Sequence, residues 1–251
     1  MNRNIKYKSK ELLEIYKHDR QKWDEFYPSE RWVFEKIGGN NRVLGDVLDV
    51  GCACGGLGIA LTQEFILNSY TGVDINEDAV IWARKERKLP VSATFIARDI
   101  IELHPCEQYD TVVSLSCADW NVETGRMIDA CWKRVRSGGY FVLSLRLSPV
   151  KGINNTKMSY QRISIPGSEK GSEVANYVVF GFKEAMEMMG KLSPLPDSVG
   201  AYGYWGRPSP SAFTPFERLV FAVFYIKKGS NDPDSAKEMK TEFNFPLDIF
   251  L

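Results

Sequence analysis

The feature that most constrains this chain is a short apolar run, Val47-Leu48-Asp49-Val50, which passes directly into Gly51-Cys52-Ala53-Cys54-Gly55-Gly56. Such a run reads as a strand buried on both faces. The glycines that follow let the backbone turn sharply and approach a ligand without a Cβ in the way. A helix is expected over 57–67. Residues 70–75, 94–97, 109–115 and 140–147 read as four further strands, mostly separated by helical stretches. Asn76 reads as the N-cap of one of these helices, with Glu77 and Asp78 in its first turn. Parallel strands need crossovers of this kind, so a doubly wound α/β sheet with helices on both faces is expected.

The flanks read differently. Residues 1–44 form an amphipathic, helical N-terminal cap or lid, divided at Pro28. After 147, turn residues alternate with short β-prone runs, a helix over 183–189, and sixth and seventh strands over 199–205 and 219–226. The expected organisation is a cap over 1–44, a main domain over 45–229 with a substrate-side insertion at 148–198, and a tail over 230–251. That tail is polar until Phe243-Asn244-Phe245-Pro246 and is expected to be partly mobile.

Composition excludes several classes. Thirty-two basic residues balance thirty-two acidic ones, so the cationic excess of a nucleic-acid binder is missing. The five cysteines lack CxxC spacing, and Cys52 and Cys54 have no second ligand pair, which points to reduced core thiols and no metal. The longest apolar run, 219–226, is too short to cross a bilayer. Residues 1–10 are polar and basic without an apolar core. A cytoplasmic protein with no membrane partner is expected.

In an open parallel sheet, ligands bind beyond the carboxyl ends of the strands. Asp49 to Gly56, Asp74, Asp99 and 116–121 all fall at such ends, which argues for a nucleoside-containing cofactor. Asp74 follows Gly51 by twenty-three residues, where a carboxylate can accept both ribose hydroxyl protons. Gly51-x-Ala53-x-x-Gly56 also fits a dinucleotide fingerprint loosely. Asp49 opposes that reading, because a pyrophosphate there would meet a negative charge whereas an ammonium group would be stabilised.

On Asp49-x-Gly51-x-Ala53-x-Gly55, Asp74, Asp99-Ile100, Tyr109-Asp110-Thr111-Val112-Val113 and Ser137-Gly138-Gly139-Tyr140, the chain resembles class I S-adenosylmethionine-dependent methyltransferases. The resemblance runs from about residue 47 to 147, with Ala53 in place of the family's middle glycine. It implies seven strands, the seventh antiparallel between the fifth and sixth, and S-adenosylmethionine as cofactor. Asp49, Gly51, Ala53 and Gly55 would then form the loop at the methionine moiety. Asp74 with Ile75 would hold the ribose, Asp99 with Ile100 would flank adenine, and Ser116 would lie beneath the sulfonium.

Methyl transfer is a single displacement, so a base is needed only if the acceptor must lose a proton. Asp119 is the acid best placed to be that base, and equally an Asx-turn residue. Trp120, Asn121, His18 and Trp23 are the candidate substrate contacts. Arg84-Lys85-Glu86-Arg87-Lys88 reads as a solvated helix face. The expected activity is methylation of an oxygen or nitrogen of a small molecule. The alternatives are an RNA or protein methyltransferase, a non-catalytic cofactor-binding module, and a nicotinamide-dependent oxidoreductase.

Overall fold

In the computed structural model the residues described are Asn4, 10–164, 172–229 and 239–250. The chain opens with α1 (Lys10–His18), a 3-10 turn at Trp23–Glu25, and α2 (Pro28–Gly38). Proline at the first helical position lacks only an N–H that would have no helical partner. The Glu30 carboxylate accepts the Tyr27 N–H at 2.9 Å and closes that helix start. Alternation follows: β1 (Val43–Val50), α3 (Gly56–Glu64), β2 (Ile66–Asp74), α4 (Glu77–Glu86), β3 (Ser92–Ala97) and β4 (Tyr109–Ser114). Asn76 caps α4 by accepting the Ala79 N–H at 3.3 Å. A 3-10 turn at Ala118–Trp120 leads to α5 (Thr124–Lys133) and β5 (Val135–Ser148).

Next come β6 (Tyr160–Ser164), β7 (Ser172–Asn176), β8 (Phe180–Gly181) and α6 (Phe182–Met189). The described chain ends with β9 (Pro196–Gly206), β10 (Ala212–Phe213), β11 (Leu219–Lys228), β12 (Lys240–Asn244) and a 3-10 turn at Leu247–Phe250. The main sheet runs β12-β9-β11-β5-β4-β1-β2-β3, with β8 paired on β5. As expected, β11 lies antiparallel between β5 and β9. A separate three-stranded sheet runs β10-β6-β7.

Three expectations are corrected. The main sheet holds nine strands among the described residues, not seven. The described part of the tail is built in, because β12 pairs parallel with β9 along the edge. Phe243 and Phe245 anchor it by packing edge-on to Phe182, at 5.7 and 5.8 Å between ring centres. Residues 230–238 lie outside the described residues. Finally, the helix expected over 57–67 stops at Glu64, and β2 begins at Ile66 alongside Val43.

Strand alternation divides the core in two. Phe141, Leu143, Leu145 and Leu147 of β5 face Met127, Ile128 and Trp132 of α5 with Ala185 and Met189 of α6. Val142 of β5 and Val47 of β1 face the opposite side, with Phe34 of α2, Leu61 of α3 and Val80 of α4. Helices therefore cover both faces, as parallel sheets require. At the end of β11, the buried Lys228 ammonium donates to the carbonyls of Trp132 and Val135, at 3.0 and 2.8 Å. It thereby satisfies the C-terminal end of α5. Lys228→Met is expected to lower the unfolding free energy by about 1–3 kcal/mol, read by urea denaturation.

Candidate functional site

The carboxyl ends of β1, β2, β3 and β4 open into one cavity of about 470 Å³. Three residues of the turn after β1 adopt positive φ: Gly51 at 84°, Ala53 at 45° and Gly55 at 74°. At Gly51 a side chain would also strike Cys117, whose Sγ lies 2.4 Å from where a Cβ would stand. Ala53 holds a conformation that costs an L-residue roughly 1–2 kcal/mol. The Asp74 carboxylate compensates by accepting the Ala53 N–H at 2.8 Å.

Asp74 is the hinge of the site. One oxygen takes the Ala53 N–H and the other takes the Asn76 N–H, at 2.8 Å each. The Ile75 N–H is a third backbone donor to this carboxylate, which leaves it acceptor capacity for a further donor. Asp49 lies beneath the turn, 4% exposed, with Oδ2 accepting the Tyr70 hydroxyl at 2.5 Å. Burial pushes its carboxyl up to about 7, against the opposing pull of the Tyr70 hydrogen bond. Burial likewise raises Asp74, against backbone hydrogen bonds that lower it. Asp99 accepts the Ile101 N–H at 2.9 Å, and Asp99, Ile100 and Ile75 all line the cavity. Ser116, at φ 50°, and Asn121 line it too.

Other expected residues lie elsewhere. Gly55 does not line the cavity; it serves as the left-handed N-cap of α3. Asp119 is 4% exposed and turned away from the cavity into an ion pair, with Oδ2 at 3.1 Å from Nε of the equally buried Arg146. A base must reach its proton, and in this geometry Asp119 is engaged with Arg146 rather than with the cavity. His18 is exposed at the end of α1 and outside the cavity lining. Trp23 packs against Phe26, Phe34 and Phe65 at 5.4–6.0 Å between ring centres. Neither residue contacts the cavity.

The N-terminal segment covers the cleft through Tyr27, an expected lid residue, and through others that pattern reading missed. Tyr16, Asp19, Arg20 and Tyr27 line the cavity. Gly56 explains the fit, because a Cβ there would stand 2.5 Å from the Asp19 carbonyl oxygen and 2.9 Å from that of Arg20. Arg87 also ties the two parts together, donating to the carbonyls of Cys54 at 2.7 Å and Lys17 at 3.1 Å. The run around it is therefore not wholly a solvated face. The signal was present in Gly56 and Arg87, but their partners are distant in sequence.

The thiols here are not poised as nucleophiles. Burial raises Cys52 and Cys117 and pushes Cys54 up to about 11, which keeps all three protonated at neutral pH.

This geometry fits a sulfonium nucleoside carrying an amino acid. The turn can be approached closely, Asp74 retains acceptor capacity for a ribose, and Asp49 and Asp74 attract cationic groups where a pyrophosphate would be repelled. Residues 47–139 match the methyltransferase domain family. The chain is 28% identical over 97 residues to a fatty-acid O-methyltransferase of Mycolicibacterium smegmatis. It is 30% identical over 96 residues to the phthiotriol/phenolphthiotriol dimycocerosates methyltransferase of Mycobacterium tuberculosis. Each match covers 38% of this chain and 35% of the relative, so the chain spans about a third of those proteins.

Among solved structures, an S-adenosylmethionine-dependent methyltransferase from Clostridium acetobutylicum superposes with TM-score 0.54 at 16% identity, covering 88% of this chain and 98% of that one. CalS10, an amino pentose methyltransferase from Micromonospora echinaspora, does so with TM-score 0.51 at 16% identity, covering 89% and 99%. At such identities the likeness concerns the fold. Residues 47–139 thus match a methyltransferase domain, and the chain shares its fold with solved S-adenosylmethionine-dependent methyltransferases.

Proposed function

We propose that this protein transfers a methyl group from S-adenosylmethionine to an oxygen or nitrogen of a small molecule. The observation that carries the reading is Asp74, which braces the β1 turn with one oxygen and keeps acceptor capacity for a further donor. Bound, the cofactor supplies an electrophilic methyl group on a sulfonium. The chain's own residues hold and orient it: Asp49 attracts its ammonium group, Asp74 and Ile75 take the ribose, and Asp99 and Ile100 flank the adenine. Ser116 lies at the sulfonium, while Trp120 and Asn121 face the acceptor. Orientation alone supplies up to roughly 7–11 kcal/mol of such a barrier.

In this reading residues 45–229 are the methyltransferase domain and the N-terminal residues are its lid. Within 148–198 the acceptor side comes from β6 and β7, since α6 packs into the main core. No described helix is long and apolar enough to cross a membrane. We place the enzyme in the cytoplasm, where its thiols stay reduced. The fatty-acid and phthiotriol dimycocerosate activities for which the mycobacterial relatives are named support apolar acceptors over RNA or protein. Calorimetry tests the assignment: S-adenosylhomocysteine is expected to bind and NAD is not. Turnover in a metabolite panel then separates an enzyme from a binding module, and retention on RNA at physiological salt would count for the polymer alternative.

Asp49 gives this reading a pH signature. Its folded value near 7 exceeds the ordinary 3.8, so the ligand-free folded state holds a proton that the unfolded chain has released. The contribution of Asp49 to stability is therefore fully present below 3.8 and is lost as pH rises through about 7. Binding of an ammonium group runs the other way, because it requires the charged carboxylate. Affinity for S-adenosylhomocysteine is expected to rise with pH by up to about tenfold per unit and to level off once Asp49 is ionised. Asp49→Asn is expected to flatten that dependence in titration calorimetry from pH 6 to 8.

A further inference from the structure

We propose that the methyl acceptor is a small carboxylic acid, paired with Arg162 in a second cavity and methylated on its carboxylate. This rests on the methyltransferase reading above. The second cavity, about 350 Å³, shares Tyr16, Ser116 and Trp120 with the cofactor cleft, so the two are contiguous. The rest of its wall comes from Leu12 of α1, from Gln161, Arg162 and Ile163 of β6, and from Ser211.

The two cavities differ in charge. The cofactor cleft carries Asp19, Glu25, Asp49, Asp74 and Asp99 against Arg20 and Arg98. That balance suits a cationic cofactor. In the second cavity Arg162 is the single charged residue of the described lining. It forms no ion pair among the described residues. Its guanidinium lies 5.1 Å from the Phe213 ring centre and 5.9 Å from that of Tyr160. Those two rings stack on each other at 5.0 Å. Rings orient the guanidinium plane while leaving its N–H fork for a carboxylate, which matches it with two parallel hydrogen bonds.

Gln161 lines the same wall. Its Nε2 is shared between the hydroxyls of Ser209 and Ser211 at 3.2 and 2.9 Å. Its Oε1 is buried without a protein donor among the described residues. Leu12, Ile163 and Trp120 give the cavity its apolar surface, which suits the body of an organic acid.

The chemistry agrees with the charge. Neither Asp, Glu nor His lines the second cavity among the described residues, and Asp119 is committed to Arg146. An alcohol or ammonium acceptor would need a base there. A carboxylate has already lost its proton at neutral pH. One of its oxygens takes the methyl group as the carbon–sulfur bond breaks, the bonding pair stays on sulfur as a neutral thioether, and no proton is released. The product is a neutral methyl ester. Having lost its charge, it no longer pairs with Arg162, which favours its departure.

The test titrates the full chain, loaded with S-adenosylhomocysteine, with octanoate and with octylamine in a calorimeter. Octanoate is expected to bind saturably, and octylamine is not. Arg162→Met is expected to weaken octanoate roughly tenfold or more while leaving S-adenosylhomocysteine affinity unchanged. With S-adenosylmethionine, mass spectrometry is expected to detect the methyl ester of the acid. Octylamine binding as tightly as octanoate, absence of octanoate binding, or indifference to Arg162→Met each overturns the proposal while S-adenosylhomocysteine still binds. Failure of S-adenosylhomocysteine itself to bind instead brings down the underlying methyltransferase reading, and this inference with it.

Discussion

Asp74→Ala is expected to weaken S-adenosylhomocysteine binding by roughly 100-fold or more, the equivalent of two charge-assisted hydrogen bonds. The size follows from a double duty. The carboxylate bonds the N–H groups of Ala53 and Asn76 at 2.8 Å. In the proposed function the same carboxylate is the ribose acceptor, so alanine would remove the ligand contact and the brace on the turn together. Without that brace Ala53, held at φ 45°, can relax away from its left-handed conformation. Asp74→Asn keeps one acceptor oxygen and is expected to fall between wild type and alanine. Titration calorimetry reads the affinities, and circular dichroism confirms that the sheet survives. Unchanged affinity in the alanine variant would falsify the ribose assignment.

The second large effect concerns stability. Arg146→Met is expected to lower the unfolding free energy by about 3–5 kcal/mol, because it strands a buried carboxylate. Arg146 sits at the end of β5, paired with Asp119 and donating to the backbone carbonyls of Asp119 at 3.1 Å and Val178 at 3.4 Å. Its guanidinium lies 3.6 Å from the Tyr177 ring centre and 4.4 Å from that of Trp120. Burial raises the Asp119 carboxyl and Arg146 opposes that rise. Loss of the arginine removes the larger opposing influence and leaves only a backbone hydrogen bond against burial. Adding Asp119→Leu removes the stranded charge, so the double variant is expected to recover much of the loss. Urea denaturation of the four-member cycle reads the coupling. Strictly additive losses would show that the pair is not coupled.

The Asp119 case shows where pattern reading stops. An acid two residues from Cys117, in the loop after β4, stands where a base is useful, and its sequence neighbours argue for that role. Its partner is twenty-seven residues later on β5, and only the packed chain brings the two together. Trp23 and His18 show the same limit on α1 and the turn after it. Both lie close in sequence to cavity residues, yet one packs into an aromatic cluster and the other faces solvent. The segment that does reach the cleft, Asp19 and Arg20, carries no pattern of its own. Its place is made by the missing side chain of Gly56. In the tail, β12 escaped notice because an edge strand buries little, and its charged, exposed residues lack the alternation of a half-buried one.

What the amino-acid order determined alone is the local and repetitive part of this protein. Apolar runs buried on both faces specify parallel strands, glycines at positive φ specify the turn after β1, and carboxylates at successive strand ends specify a cleft for a nucleoside cofactor. These are interactions between residues near one another in the chain, or properties of a single position. Tertiary structure decided which polar groups are spent on one another and which remain for a ligand. Asp119 is engaged by Arg146, whereas Arg162 lies beside two stacked rings and forms no ion pair among the described residues. That division depends on distances between residues far apart in sequence, which only the folded chain fixes.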